Sequence, residues 1–86
     1  MQILAAEAGA NGNVAKQKEY LDQLVTQYPN DERAHFNLGG YYFGQQDYPN
    51  AIEQYNKVIR LTNDRRQEAV HVRARAAMAE IMELLS

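Results

Sequence analysis

His35 and His71 are the first residues in this 86-residue chain that could hold a metal or move a proton. They stand 36 positions apart, no cysteine occurs anywhere, and no carboxylate lies at ligand spacing from both. A zinc site needs three or four converging donors, so no metal ligand is assigned. His35 is expected to pack in the core, and His71 to be a polar surface residue. The only serine is Ser86, the last residue, a poor candidate for a nucleophile positioned against a base. The glycine pair in Leu38-Gly39-Gly40 falls inside a helical stretch, where amides are already engaged and cannot cradle a phosphate. The carboxylates Glu80 and Glu83, like Glu19 and Asp22, stand on helix surfaces without the apolar enclosure that raises a carboxyl pKa for acid catalysis. No catalytic residue and no cofactor follows from these patterns, and the chain is not expected to be an enzyme.

Charge excludes two further classes. Nine basic residues against eleven acidic ones leave a formal net charge of -2, which gives no general attraction to nucleic acid or an anionic membrane. Arg65, Arg66, Arg73 and Arg75 make one stretch basic, but no aromatic residues interleave with them as a base-stacking surface would require. No run approaches 18 apolar residues, so no membrane insertion is expected. The opening MQILAAEAGANGN has neither a basic leader nor a long apolar centre and does not read as a secretory signal. The absence of cysteine fits a reducing compartment, which favours the cytoplasm.

The elements that position these residues are helices. Gln2 to Ala8 is a short alanine-rich helix closed by the GANGN turn. Val14 to Tyr28 carries Leu21, Leu24, Val25 and Tyr28 at spacings of three and four. Pro29, Asn30 and Asp31 end that helix, and Asp31 or Asn30 caps the next. Glu32 to about Gly44 places Leu38 and Tyr42 on one face. Asp47 is the cap of the fourth segment and Pro49 sits in its first turn. Ala51, Ile52, Tyr55, Val58 and Ile59 form that segment's buried stripe. Thr62, Asn63 and Asp64 are a further turn and cap, and a last helix from about Arg65 fills the remainder, 66–85. Period-two alternation is absent and the connections are short, so the fold class is all-α with consecutive helices antiparallel.

Two interior glycines, Gly39 and Gly40, should each cost about 1 kcal/mol against alanine. Large and small residues alternate around them: Leu38, Gly39 and Tyr42 on one helix, then Tyr48, Ala51, Tyr55 and Val58 on the next. On these residues the segment 32–65 resembles a tetratricopeptide repeat (TPR), a unit of 34 residues. His35 stands where that family usually has a large residue such as tryptophan, Val58 where it has alanine and Asn63 where proline is common. Independently of the resemblance, Gly39 and Ala51 lack bulk and would let two helix backbones approach closely, with Leu38, Tyr42 and Tyr55 filling the flanks. A shift of 34 residues backward puts Met1, Leu4, Ala5 and Ala8, then Val14, Gln17, Leu21 and Leu24, on a degenerate preceding repeat, 1–31. The same shift forward puts Ala69, Val72, Arg73 and Ala76 on the packing face of the last helix. The expectation is one domain, 1–86: a short TPR-like array of about five helices including a C-terminal capping helix.

The resemblance implies a protein-interaction module that receives a peptide or partner helix in a concave groove. Arg33, Phe36, Asn37, Gly40 and Phe43 fall on the side that faces the groove in this family. Phe36 and Phe43 read either as a shallow apolar trough or as packing against adjoining helices, and Gly40 as a surface glycine. The set with which some members hold a C-terminal carboxylate is matched here by Gln2, Ala6, Asn37, Gln67 and His71, of which only Asn37 agrees, so that mode is not expected. Met78, Ile81, Met82 and Leu85 recur at three and four along the last helix. They suggest oligomerisation, a homodimer through an apolar outer stripe, with Ala76 and Ala79 turned to the preceding helix. The alternative is that the stripe is buried within its own chain.

Overall fold

The computed structural model describes residues 14–86. Four helices follow in order: α1 Val14–Gln27, α2 Glu32–Gly44, α3 Tyr48–Leu61 and α4 Ala69–Leu85. The helix expected over Gln2 to Ala8, and the GANGN turn, lie outside the described residues.

Each junction has a local cause. Asp31 caps α2, its Oδ1 accepting from the Arg33 amide at 2.9 Å, a contact worth about 1 kcal/mol. The α2–α3 turn closes when the Gln46 amide donates to Phe43 O and the Asp47 amide to Tyr42 O. This is the crossed pair of bonds that ends a helix on a left-handed residue. That residue is Gln46, with φ of 62°, a position glycine would occupy at lower conformational cost. Asp47 sits at the cap position of α3, but its carboxylate accepts from the Asn50 side chain at 2.7 Å instead of from a helix amide.

α2 and α3 form a close helical hairpin. α1 packs on α2, and α4 packs on α3 while touching α2. Leu38 is 2% exposed, and Ala34, His35 and Gly39 are buried beside it. Ala51, Tyr55, Val58, Ala74 and Ile81 form a continuous core between α3 and α4, with Phe36, Tyr42, Phe43 and Met78 packed around it. In α1 only Leu21 is buried, and Tyr28, expected on the same stripe, is exposed.

The last helix departs from its expected register. It begins at Ala69, because Arg65 and Glu68 amides donate to Thr62 and Arg65 carbonyls in a turn. The connection therefore spans 62–68, longer than the 28–31 connection ahead of α2. Buried positions recur at an offset of 36 instead of 34, His35 answering to His71 and Leu38 to Ala74. Ala69, Val72, Arg73, Ala76 and Ala79 are consequently exposed. His71, expected at the surface, is buried because Thr62 supplies a hydrogen-bond partner. Ile81 is fully buried against α3, so the outer stripe divides. Met78 is half-buried and turned to the core, and Met82 and Leu85 remain exposed.

Candidate functional site

The contact that organises the α2 face is between Gly39 and Tyr55. A Cβ at Gly39 would lie 2.9 Å from Tyr55 Cε1 and 3.0 Å from Cδ1, inside any ordinary carbon contact. The Tyr55 ring therefore packs directly against bare α2 backbone, and the residue is 3% exposed. Its hydroxyl continues past Gly39 to Gly40, where a Cβ would stand 3.8 Å from it. Gly40 thus has a neighbour in the core as well as an exposed position: it stands on α2 next to the end of the Tyr55 side chain. Burial, followed by the negative charge of Glu80, pushes the Tyr55 hydroxyl above its ordinary pKa and keeps it protonated.

Around this point the five residues assigned to the groove separate into two kinds. Arg33, Asn37 and Gly40 are exposed on α2. The Arg33 side chain retains 81% of its exposure and lies 3.7 Å from Asp31. Phe36 and Phe43 are half-buried. The Phe36 ring is tilted against Tyr55 with centroids 5.6 Å apart, and Phe43 meets Tyr48 edge-on at 6.0 Å. Each ring thus contributes to the core of its own chain while one part stays accessible. On the other side of α2, Tyr41 and Tyr42 pack edge-on at 5.5 Å, and Lys18 stands 5.9 Å over the Tyr42 ring. Asp22 binds the Lys18 ammonium at 2.7 Å and raises its pKa.

Arg65 fastens the hairpin at its open end. Its guanidinium donates to both Glu32 carboxylate oxygens at 3.3 Å, to Glu68 at 3.2 Å and to Leu61 O at 3.2 Å. The hydrogen bond from Arg65 holds the Glu32 carboxyl below its ordinary pKa.

Neither histidine stands free to ligate. His35 Nε2 donates to Pro29 O at 2.7 Å, and Nδ1 lies 2.8 Å from the Gln54 side-chain amide. Among the described residues no group of three potential metal ligands converges, and no helix is long and apolar enough to cross a membrane. Of the carboxylate-holding positions within the described chain, Asn37 is exposed on α2, Gln67 lies in the connection before α4, and His71 is turned into the core. They form no common set.

Sequence reasoning placed Tyr55 in the core, where it lies, but missed that its hydroxyl comes up against Gly40. His71 was misplaced because its partner, Thr62, belongs to a different element.

Residues 32–65, α2 and α3 with Arg65, match the family model for the tetratricopeptide repeat. No curated protein and no solved structure matches the chain. Helical folds of this family generally mediate contact between proteins and are characteristically non-catalytic scaffolds. The hairpin in which Leu38, Gly39 and Tyr42 pack with Ala51, Tyr55 and Val58 is therefore the part of this chain that matches a tetratricopeptide repeat, over residues 32–65.

Proposed function

We propose that the chain is a non-enzymatic protein-interaction module in which α2 presents the binding face. Arg33, Asn37 and Gly40 supply the polar outer strip, and Phe36 and Phe43 the apolar edge. The observation that carries this reading is the bare backbone at exposed Gly40, where a Cβ would stand 3.8 Å from the Tyr55 hydroxyl, on a helix that also carries exposed Arg33 and Asn37 and half-buried Phe36 and Phe43. A main-chain carbonyl of an extended peptide or partner helix would accept from that hydroxyl while apolar side chains cover the two phenylalanines. In this reading α1 closes a degenerate repeat over 1–31, and α4 caps the array.

The test is selection of displayed peptides against the folded chain, followed by counter-selection on Gly40→Gln. A glutamine side chain would cover the hydroxyl, and its first carbon fits without a clash. Peptides lost to Gly40→Gln and weakened by Arg33→Glu support the α2 face. Peptides that bind both variants as well as the parent refute it.

A second reading, assembly through α4, rests on the clustering of exposed Met82, Leu84 and Leu85 at the end of that helix, 62%, 55% and 59% exposed. Methionine adapts readily to an imperfect opposing surface. Sedimentation velocity across concentration separates the two: a chain that remains monomeric at high micromolar concentration removes assembly.

A further inference from the structure

The side of the molecule formed by the end of α3 and the start of α4 holds a second, unrelated feature. A notch of about 240 Å³ is lined by Ile59, Asn63, Arg66, His71 and Arg75. The geometry points to this notch as a binding site for a phosphate monoester group, held by Arg66 and Arg75 and sharing a proton with His71.

Hydrogen bonding at the floor fixes which histidine nitrogen is available. The Thr62 hydroxyl donates to Val58 O at 2.7 Å, so its one proton is spent. Thr62 Oγ1 must then accept from His71 Nδ1–H, 2.8 Å away. In the neutral ring Nε2 is left with its lone pair. His71 is 2% exposed, and Nε2 has no partner among the described residues. No side-chain nitrogen or oxygen is fully enclosed there without a partner, so Nε2 opens on the notch that its residue lines.

The rim supplies two guanidiniums that have no carboxylate within ion-pair distance among the described residues. Arg65 takes the neighbouring carboxylates Glu32, Asp64 and Glu68. Neither Arg66 nor Arg75 pairs with a carboxylate among the described residues. Arg66 is also held in place: its Nε and one terminal nitrogen donate to Asn63 Oδ1 at 3.2 and 2.9 Å. A fixed guanidinium loses less freedom when it binds an oxyanion.

Phosphate suits this arrangement better than other anions. A monoester loses its second proton near pH ~6, so near neutrality a share of it keeps a P–OH that can donate to the Nε2 lone pair. Two guanidiniums and one ring nitrogen then address three phosphate oxygens. Sulfate carries no proton at this pH and leaves a neutral Nε2 facing an acceptor. A phosphodiester fails for the same reason.

The experiment follows the His71 ring nitrogens by long-range proton–nitrogen correlation in the full, labelled chain. Inorganic phosphate, sulfate and chloride are titrated at matched ionic strength. His35, with both ring nitrogens engaged, serves as the internal reference. Phosphate should move the His71 Nε2 signal saturably while His35 stays still, and Arg75→Gln should weaken the midpoint by about three- to tenfold. Arg66 and Arg75 are exposed, so their variants keep the fold, which circular dichroism checks. A His71 response that follows chloride, or one in which sulfate saturates as tightly as phosphate, overturns the assignment. A phosphoserine peptide and its unphosphorylated twin separate the sources. Tighter binding of the phosphopeptide than of the free ion marks a modified protein partner, and equal binding marks the free ion. If neither phosphate species binds, the site is refuted.

Discussion

Replacing the two adjacent glycines of α2 by alanine tests the central contact with a built-in control. Both substitutions gain helix propensity, about 1 kcal/mol each. They differ in what the new methyl meets. At Gly40 it would lie 3.8 Å from the Tyr55 hydroxyl, an ordinary contact, and at Gly39 it would lie 2.9 Å from Tyr55 Cε1 and 3.2 Å from Cζ. Tyr55 cannot swing aside, because Phe36 tilts against its ring and Ala51 and Val58 share its core. Overpacking of this kind costs about 1–3 kcal/mol. Gly40→Ala should therefore stabilise the chain by up to about 1 kcal/mol, and Gly39→Ala should be neutral to about 2 kcal/mol destabilising. For a domain of this length the gap in thermal midpoint is about 5–20 °C, read from helical ellipticity. Adding Tyr55→Leu to both backgrounds completes the cycle: the penalty at Gly39 should shrink when the ring is absent, and the effect at Gly40 should not. Equal midpoints for the two alanine variants, or a penalty at Gly39 that survives loss of the ring, would refute the account.

The other expectations concern separate parts of the fold. Leu38→Ala should cost about 2–5 kcal/mol by urea titration, since the side chain is 2% exposed. Ile81→Ala should cost a similar amount, and Met82→Ala, one residue further on, should stay within about 0.5 kcal/mol; a large loss at Met82 would mean that this face is covered by another copy. Thr62→Val removes the acceptor of His71 Nδ1–H and should cost about 1–3 kcal/mol, a penalty that should vanish if the ring is in fact solvated. Glu32 has a folded pKa below its ordinary 4.5, chiefly through the Arg65 hydrogen bond. Its contribution is therefore complete above the unfolded value and lost as pH falls through the lowered folded one. The stability advantage of the parent over Glu32→Gln should accordingly narrow below about pH 4.5, and an advantage independent of pH there would rule the pair out as its source.

The hairpin was legible because its signals are local and agree with one another. Asp31, the Gln45–Asp47 break and Pro49 mark helix ends within a few residues, and the size alternation around Gly39 and Ala51 leaves one way to bring the two faces together. α4 was harder for a physical reason. Ala77, Met78, Ile81, Met82, Leu84 and Leu85 spread around the helix, so periodicity does not choose a face. The face is chosen by the 62–68 connection, which is held by the turn of the Arg65 and Glu68 amides on the Thr62 and Arg65 carbonyls and by the Arg65 side chain binding Glu32 and Leu61 O. None of those partners is visible as a pattern along the chain. The groove residues show the same division: exposure of Arg33 and Asn37 follows from helix position, but the half-burial of Phe36 and Phe43 depends on Tyr55 and Tyr48 across the hairpin.

The Arg65–Glu32 pair joins the first and last residues of the matched repeat. The unit is thus clasped at its open end by its own side chains and asks nothing of a neighbour for that contact. In a linear array, stability divides into what each unit contributes alone and what each junction adds. The clasp belongs wholly to the first kind. A chain built by concatenating copies of residues 32–65 would carry one clasp per copy, so that lengthening the array would multiply this contact without changing the chemistry of any junction.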